Sequence, residues 1–157
     1  MQGAYKGYGQ VNSNPSNSCH CFGRFIMYKR ILVPIDGSER SDAAIREASK
    51  LAKALGSKLV LFYAVPQYQL PPLAIEDEPK RVLAYAAQNF NLAGLNVEQQ
   101  FTVSNSPYES IIEAAKVFQC ELIVMASHGR HGVSGVLLGS ETQKVLTHST
   151  IPVLVVR

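Results

Sequence analysis

The sequence predicts an α/β fold: a doubly wound, five-stranded parallel sheet in the order 3-2-1-4-5, with helices on both faces. Three observations lead there. From Met27 onward, short apolar runs alternate with segments of helical period, the mark of parallel strands joined by crossover helices. The crossovers must be right-handed, which leaves only a few strand orders. Two junctions, ILVPIDGS (residues 31–38) and LIVMASHGRHGVSGVLLGSET (residues 122–142), run from an apolar strand through small residues and glycines into a helix. In the order 3-2-1-4-5 these junctions follow strands 1 and 4. The chain reverses direction across the sheet there, and a ligand crevice is expected at their carboxyl ends.

Each element has its own justification. Residues 31–35 form a continuous apolar strand, as expected of a strand buried on both faces. Ser38 or Ser41 can cap the helix that follows. Ile45, Ala48, Leu51, Ala52 and Leu55 give that helix its apolar stripe, and Gly56 stops it. Residues 59–65 (LVLFYAV) are strand 2. The proline-rich stretch 66–79 is longer than most connections and reads as a flap, with the acids Glu76, Asp77 and Glu78 as a solvated helix start. A helix is expected over 80–92, with Val82, Ala86 and Phe90 toward the core and Gly94 ending it. Residues 97–103 alternate as an edge strand does. Ser106 caps a third helix with Pro107 in its first turn, and Ile111, Ile112, Ala115 and Phe118 form its apolar face. Strand 4 is expected over 121–125, the last helix over 141–148 and strand 5 over 151–156.

Composition bounds the function. At 157 residues the chain suits one domain with a substantial core. Hydrophobic content of 46% against 17% charged residues excludes a disordered chain. No apolar run approaches the roughly 20 residues of a membrane helix, so no membrane partner is expected. Of the net charge of +3, Lys6 and Arg24 in the acid-free first 26 residues carry two. The remainder is near neutral and lacks the basic footprint of a nucleic-acid binder. Residues 1–26, rich in Gly, Asn and Ser and without period, read as a disordered extension or tag, and residues 27–157 as the domain. Cys19, Cys21 and Cys120 do not make a disulfide framework, and the start of the chain lacks the order of a secretory signal; a reducing cytoplasm is the expected setting. The Cys19-His20-Cys21 cluster matches no compact zinc pattern, so no metal site is assigned.

The glycine-rich loop carries the chemistry. Gly129, Gly132, Gly135 and Gly139 let backbone N–H groups approach an anion, and the N-terminus of the last helix adds partial positive charge. Asp36 either accepts ribose hydroxyls or stabilises its own turn. Ser140 and Thr142 either bind phosphate or cap the last helix. His128 and His131 have no matched nucleophile nearby in sequence, so no catalytic residue is assigned. Arg130 reads as a phosphate screen or a solvated loop residue. His148 suits a helix C-terminus, and Cys120 a small buried hydrophobe.

The stretches MYKRILVPIDGSE, SPYESIIEAA, LIVMASHGR, LLGSETQKVLTHS and IPVLVV together resemble the universal stress protein family over residues 27–157. In ATP-binding members of that family the loop reads Gly, two residues, Gly, nine residues, Gly, then Ser or Thr. Gly129, Gly139 and Ser140 hold the later positions here, while Ala126 stands at the first. A Cβ there restricts φ and can block close approach to a phosphate. The resemblance implies ATP or another adenine nucleotide, with Mg²⁺ as a candidate companion. Pro34, Ile35 and Asp36 would line the base and ribose side, and Ala64 would offer backbone to adenine. Met125, Ala126, His128, Gly129 and Arg130 belong to the loop under the ribose and α-phosphate. Gly139, Ser140, Glu141 and Thr142 would hold the phosphates, Glu141 through its N–H with its side chain turned outward. A homodimer through the strand from Ile151 to Val156 is likewise implied.

Three functions remain open at this level: a nucleotide-binding stress-response regulator with little or no turnover, a weak ATPase, and a ligand-independent dimer with a lapsed site. A phosphoacceptor receiver shares the strand order but needs paired acids after strand 1, where this chain has Asp36 alone.

Overall fold

The structure is a computed structural model that describes residues 27–67, 77–90, 92–129 and 138–157. Five strands, β1 (Arg30–Pro34), β2 (Lys58–Pro66), β3 (Val97–Ser104), β4 (Leu122–Ala126) and β5 (Val153–Val156), form one sheet in the order β3-β2-β1-β4-β5. All four neighbouring pairs are parallel, as expected. The helices are α1 (Glu39–Leu55), α2 (Asp77–Asn89), α3 (Pro107–Val117) and α4 (Ser140–His148).

Strand alternation sorts the core into two layers. Ile31 and Val33 of β1, Leu59 and Leu61 of β2, and Leu122 and Val124 of β4 pack with Ile45, Ala48 and Ala52 of α1 and Leu83 and Ala86 of α2. Leu32, Val60, Ile123 and Met125 turn the other way, onto Ile111, Ala114 and Ala115 of α3 and Val145 of α4. The three inner strands are therefore covered on both faces, which is why they read as unbroken apolar runs. β3 and β5 are the two edges of the sheet.

Several boundaries differ from the sequence expectation. α2 begins at Asp77 and ends at Asn89, three residues earlier than expected at each end. Asp77 and Glu78 favour the positive end of a helix, and Pro79 is tolerated in a first turn, where its missing N–H has no partner to lose. Gly94 does not stop this helix; it sits at φ 78° in the turn that leads into β3. β5 begins only at Val153 because Pro152 has no N–H to give the ladder, although its carbonyl accepts from Ile123 N at 3.0 Å. The flap over 66–79 falls mostly outside the described residues, as do residues 1–26.

At the amino ends of the strands, Glu98 accepts from Lys58 Nζ at 2.6 Å and Arg30 Nη2 at 3.1 Å, joining β1, β2 and β3. The Lys58 hydrogen bond holds the Glu98 carboxyl below the usual carboxylate range. Burial pushes the neighbouring Cys120 thiol up to about 11, which makes it an inert core residue. No helix among the described residues is long and apolar enough to cross a membrane.

Candidate functional site

The crevice is built by unequal strand lengths. The β1–β2 ladder ends at Pro34 and Phe62, closed by Ile35 N donating to Phe62 O at 2.8 Å. β2 continues to Pro66, paired only with β3. Backbone polar groups two residues apart on a strand point to the same side, so Ala64 turns its N–H and C=O toward the space that β1 has vacated. Ala64 thus lies within β2, two residues before its last residue, with its backbone turned toward that space.

Asp36 stands at the mouth of β1. Its Oδ1 accepts from Ser38 N at 3.0 Å and Ser38 Oγ at 2.6 Å, so Asp36 shapes its own turn, with Gly37 at φ 75°. Ser38 caps α1 by accepting from Ser41 N at 3.2 Å. Across the switch point, a Cβ added to Gly129 would come within 2.7 Å of Asp36 Oδ2. The β1 and β4 loops therefore meet at this glycine. Pro34 is half-buried; Ile35 and Met125 are core side chains and can offer a ligand only backbone.

Ala126 is the last residue of β4, paired with Val156. The only non-glycine residues of positive φ among those described are Tyr28 and Gln119, so this position does not demand glycine's freedom. Strand alternation turns the Ala126 methyl to the α1 face, with Val124.

Ser127 joins three elements. Its N donates to Val156 O at 2.7 Å, and its O accepts from Gly139 N at 2.8 Å. That bond brings the start of α4 onto the end of β4. Gly139, in an extended conformation, is the N-cap of α4, and Ser140 is the first helical residue. Neither Ser140 nor Thr142 caps the helix. Thr142 is buried and donates to Ala126 O at 3.0 Å, which pins the first turn to the strand. A cap lacking a side-chain bond leaves the N–H groups of Ser140, Glu141 and Thr142 outside the intrahelical ladder, at the positive end of the helix dipole.

Glu141 is tied laterally. Its Oε2 accepts from Tyr108 N at 2.9 Å and its Oε1 from Lys144 Nζ at 2.9 Å. Ser106 makes no side-chain cap for α3, so Glu141 caps that helix from α4, and its charge is drawn away from the N-terminus of its own helix. The spacing within α4 could not reveal a partner 33 residues away.

His128 is 8% exposed, with Nδ1 3.2 Å from Ser127 Oγ and no partner for Nε2 among the described residues. Arg130, His131, Gly132 and Gly135 lie outside the described residues. A shallow cleft of about 490 Å³ between the end of α2 and β3, lined by Phe90, Leu92, Leu95 and Val97 among others, offers no charged side chain and does not suit a nucleotide.

Fold and site together define a doubly wound α/β protein with a helix N-terminus that lacks a side-chain cap at its switch point. Residues 27–157 match the pattern of the universal stress protein family, and the chain belongs to that family. It is 36% identical over 138 residues to a universal stress protein of Thermus aquaticus, covering 83% of this chain and all of that one. The structure of MJ0577 of Methanocaldococcus jannaschii is similar with a TM-score of 0.74 at 27% identity, covering 83% of this chain and 96% of that one. A universal stress protein solved in complex with cAMP is similar with a TM-score of 0.67 at 27% identity, covering 83% and 97% of the two chains.

Proposed function

We propose that this chain is a stress-response regulator that binds an adenine nucleotide in the β1/β4 crevice and turns it over slowly or not at all. The observation that carries the reading is the first turn of α4. Its first N–H groups lie outside the intrahelical ladder, Thr142 and Ser127 fix it to β4, and Glu141's charge is drawn aside to α3. An anion placed there meets donors and a favourable dipole. Asp36 and the outward backbone of Ala64 suit the ribose and base. The cAMP complex of a relative of the same fold supports an adenine ligand. ATP is the nucleotide proposed, with Mg²⁺ carried on its phosphates. Hydrolysis needs a water-positioning base, and Asp36 spends Oδ1 on its turn.

Titration calorimetry with ATP, AMP and cAMP tests this. Micromolar binding of at least one nucleotide is expected. No heat with any of the three, from folded protein, overturns it and leaves a ligand-independent dimer as the reading.

The same proposal includes a homodimer through β5. Its outer edge has no neighbouring strand among the described residues, and Leu154 on β5 and Leu146 on α4 are 40% and 41% exposed. An apolar edge of this kind is a template for pairing with another chain. Sedimentation at micromolar concentration should give a dimer; a monomer contradicts the assignment.

A further inference from the structure

Among the described residues, His128 is the one buried side chain at the crevice that the fold itself does not explain. Its residue exposure is 8%, yet Nε2 has no hydrogen-bond partner among the described residues. A buried polar atom left in this state needs a reason, because burial without a partner is costly. The ring is also held in place. Nδ1 lies 3.2 Å from Ser127 Oγ, on the residue whose carbonyl receives Gly139 N. A Cβ added to Gly139 would lie 3.2 Å from His128 Cα and 3.6 Å from His128 Cδ2. Cδ2 is bonded to Nε2, so the unpartnered edge of the ring is the one beside the N-cap of α4.

We propose that His128 is a specificity residue for the nucleotide's phosphate, donating from Nε2–H beside the N–H groups of α4. The inference rests on the nucleotide reading of the site. In this proposal Nδ1 accepts from Ser127 Oγ–H in their 3.2 Å contact, which leaves the ring proton for Nε2. A directed donor at this place separates nucleotides from nucleosides. The helix dipole attracts any anion, whereas a single side-chain N–H rewards one with an oxygen at a defined position.

The test compares the whole protein with His128→Ala, His128→Asn and His128→Gln, each titrated with ATP, AMP, adenosine and inorganic phosphate. The amide nitrogen of Gln reaches near the place of imidazole Nε2; that of Asn does not. His128→Ala and His128→Asn should weaken ATP about 10- to 100-fold, with adenosine changed by less than about 3-fold. His128→Gln should stay within about 3-fold of the parent for ATP. In the parent, the Nε2 resonance of His128 should move on adding ATP and stay fixed on adding adenosine. That readout stands even if a variant fails to fold.

Equal ATP affinity in all four proteins overturns the inference while leaving the nucleotide site intact. An equal loss of ATP and adenosine in His128→Ala, with Nε2 unmoved by ATP, shows a packing role and overturns it too. Inorganic phosphate binding as tightly as ATP assigns the donor to a free anion and overturns the nucleotide assignment. A parent that binds neither ATP nor adenosine overturns the site reading and this inference with it.

Discussion

Gly139→Val should weaken ATP by at least about 100-fold in a protein that still folds. Gly139 N donates to Ser127 O at 2.8 Å, and an added Cβ would press on Ser127 O at 3.3 Å and His128 Cα at 3.2 Å. Both are backbone or near-backbone atoms, so α4 must move away from β4. Its first-turn N–H groups then leave the place where a phosphate would meet them. Two charge-assisted hydrogen bonds at about 1.5–3 kcal/mol each account for the loss. The accommodation itself should cost about 1–3 kcal/mol of stability, typical of overpacking. Calorimetry with ATP and a urea melt on the same preparation read the two quantities separately. Unchanged affinity in folded Gly139→Val would remove α4 from the phosphate site.

Ile123→Ala should produce the opposite pattern. Ile123 lies on β4 between β1 and β5, paired with Leu32 and Val153, and is fully buried in the layer beneath α3 and α4. Removing its side chain leaves a cavity in the middle of the sheet and should cost about 2–5 kcal/mol. In a domain of this size that lowers the midpoint of thermal unfolding by roughly 4–20 °C. The strand's backbone and its terminal loop stay in place, so ATP affinity at 15 °C should change by less than about 3-fold by the same measure of distance from the phosphate donors. A small stability change would mean that the layer collapses around the gap.

The contrast between these two residues parallels what the sequence made legible. Ile123 belongs to an apolar run flanked by helical periods, and such patterns reveal strand, layer and order because they follow from local geometry and handedness. The positions of Gly129 and Gly139 were also readable, since glycine marks a place where another group comes too close for a Cβ: the Asp36 carboxylate at Gly129 and the 127–128 backbone at Gly139. Their partners were not. That Gly129 faces Asp36, that Thr142 reaches Ala126 O and that Glu141 caps α3 are contacts between distant segments. Ser106 looked like a cap because serine before proline suits that place, but a carboxylate from α4 took the role. The start of α2 lies at Asp77 because the acids and Pro79, read as the end of the proline-rich stretch, suit a helix's first turn. Ala126 departs from the family's loop without strain, since an extended strand end accepts any residue.

The central claim is that an adenine nucleotide occupies the β1/β4 crevice with its phosphates on the first turn of α4. The most direct measurement is an ATP titration of backbone amide resonances in the isotope-labelled protein. The account predicts saturable shifts at Gly129, Ser140, Glu141 and Thr142 for the phosphates and at Ala64 for the base. Resonances of Leu92 and Leu95, in the separate cleft beside α2, should remain fixed. Shifts confined to that cleft, or none at millimolar ATP, would contradict it.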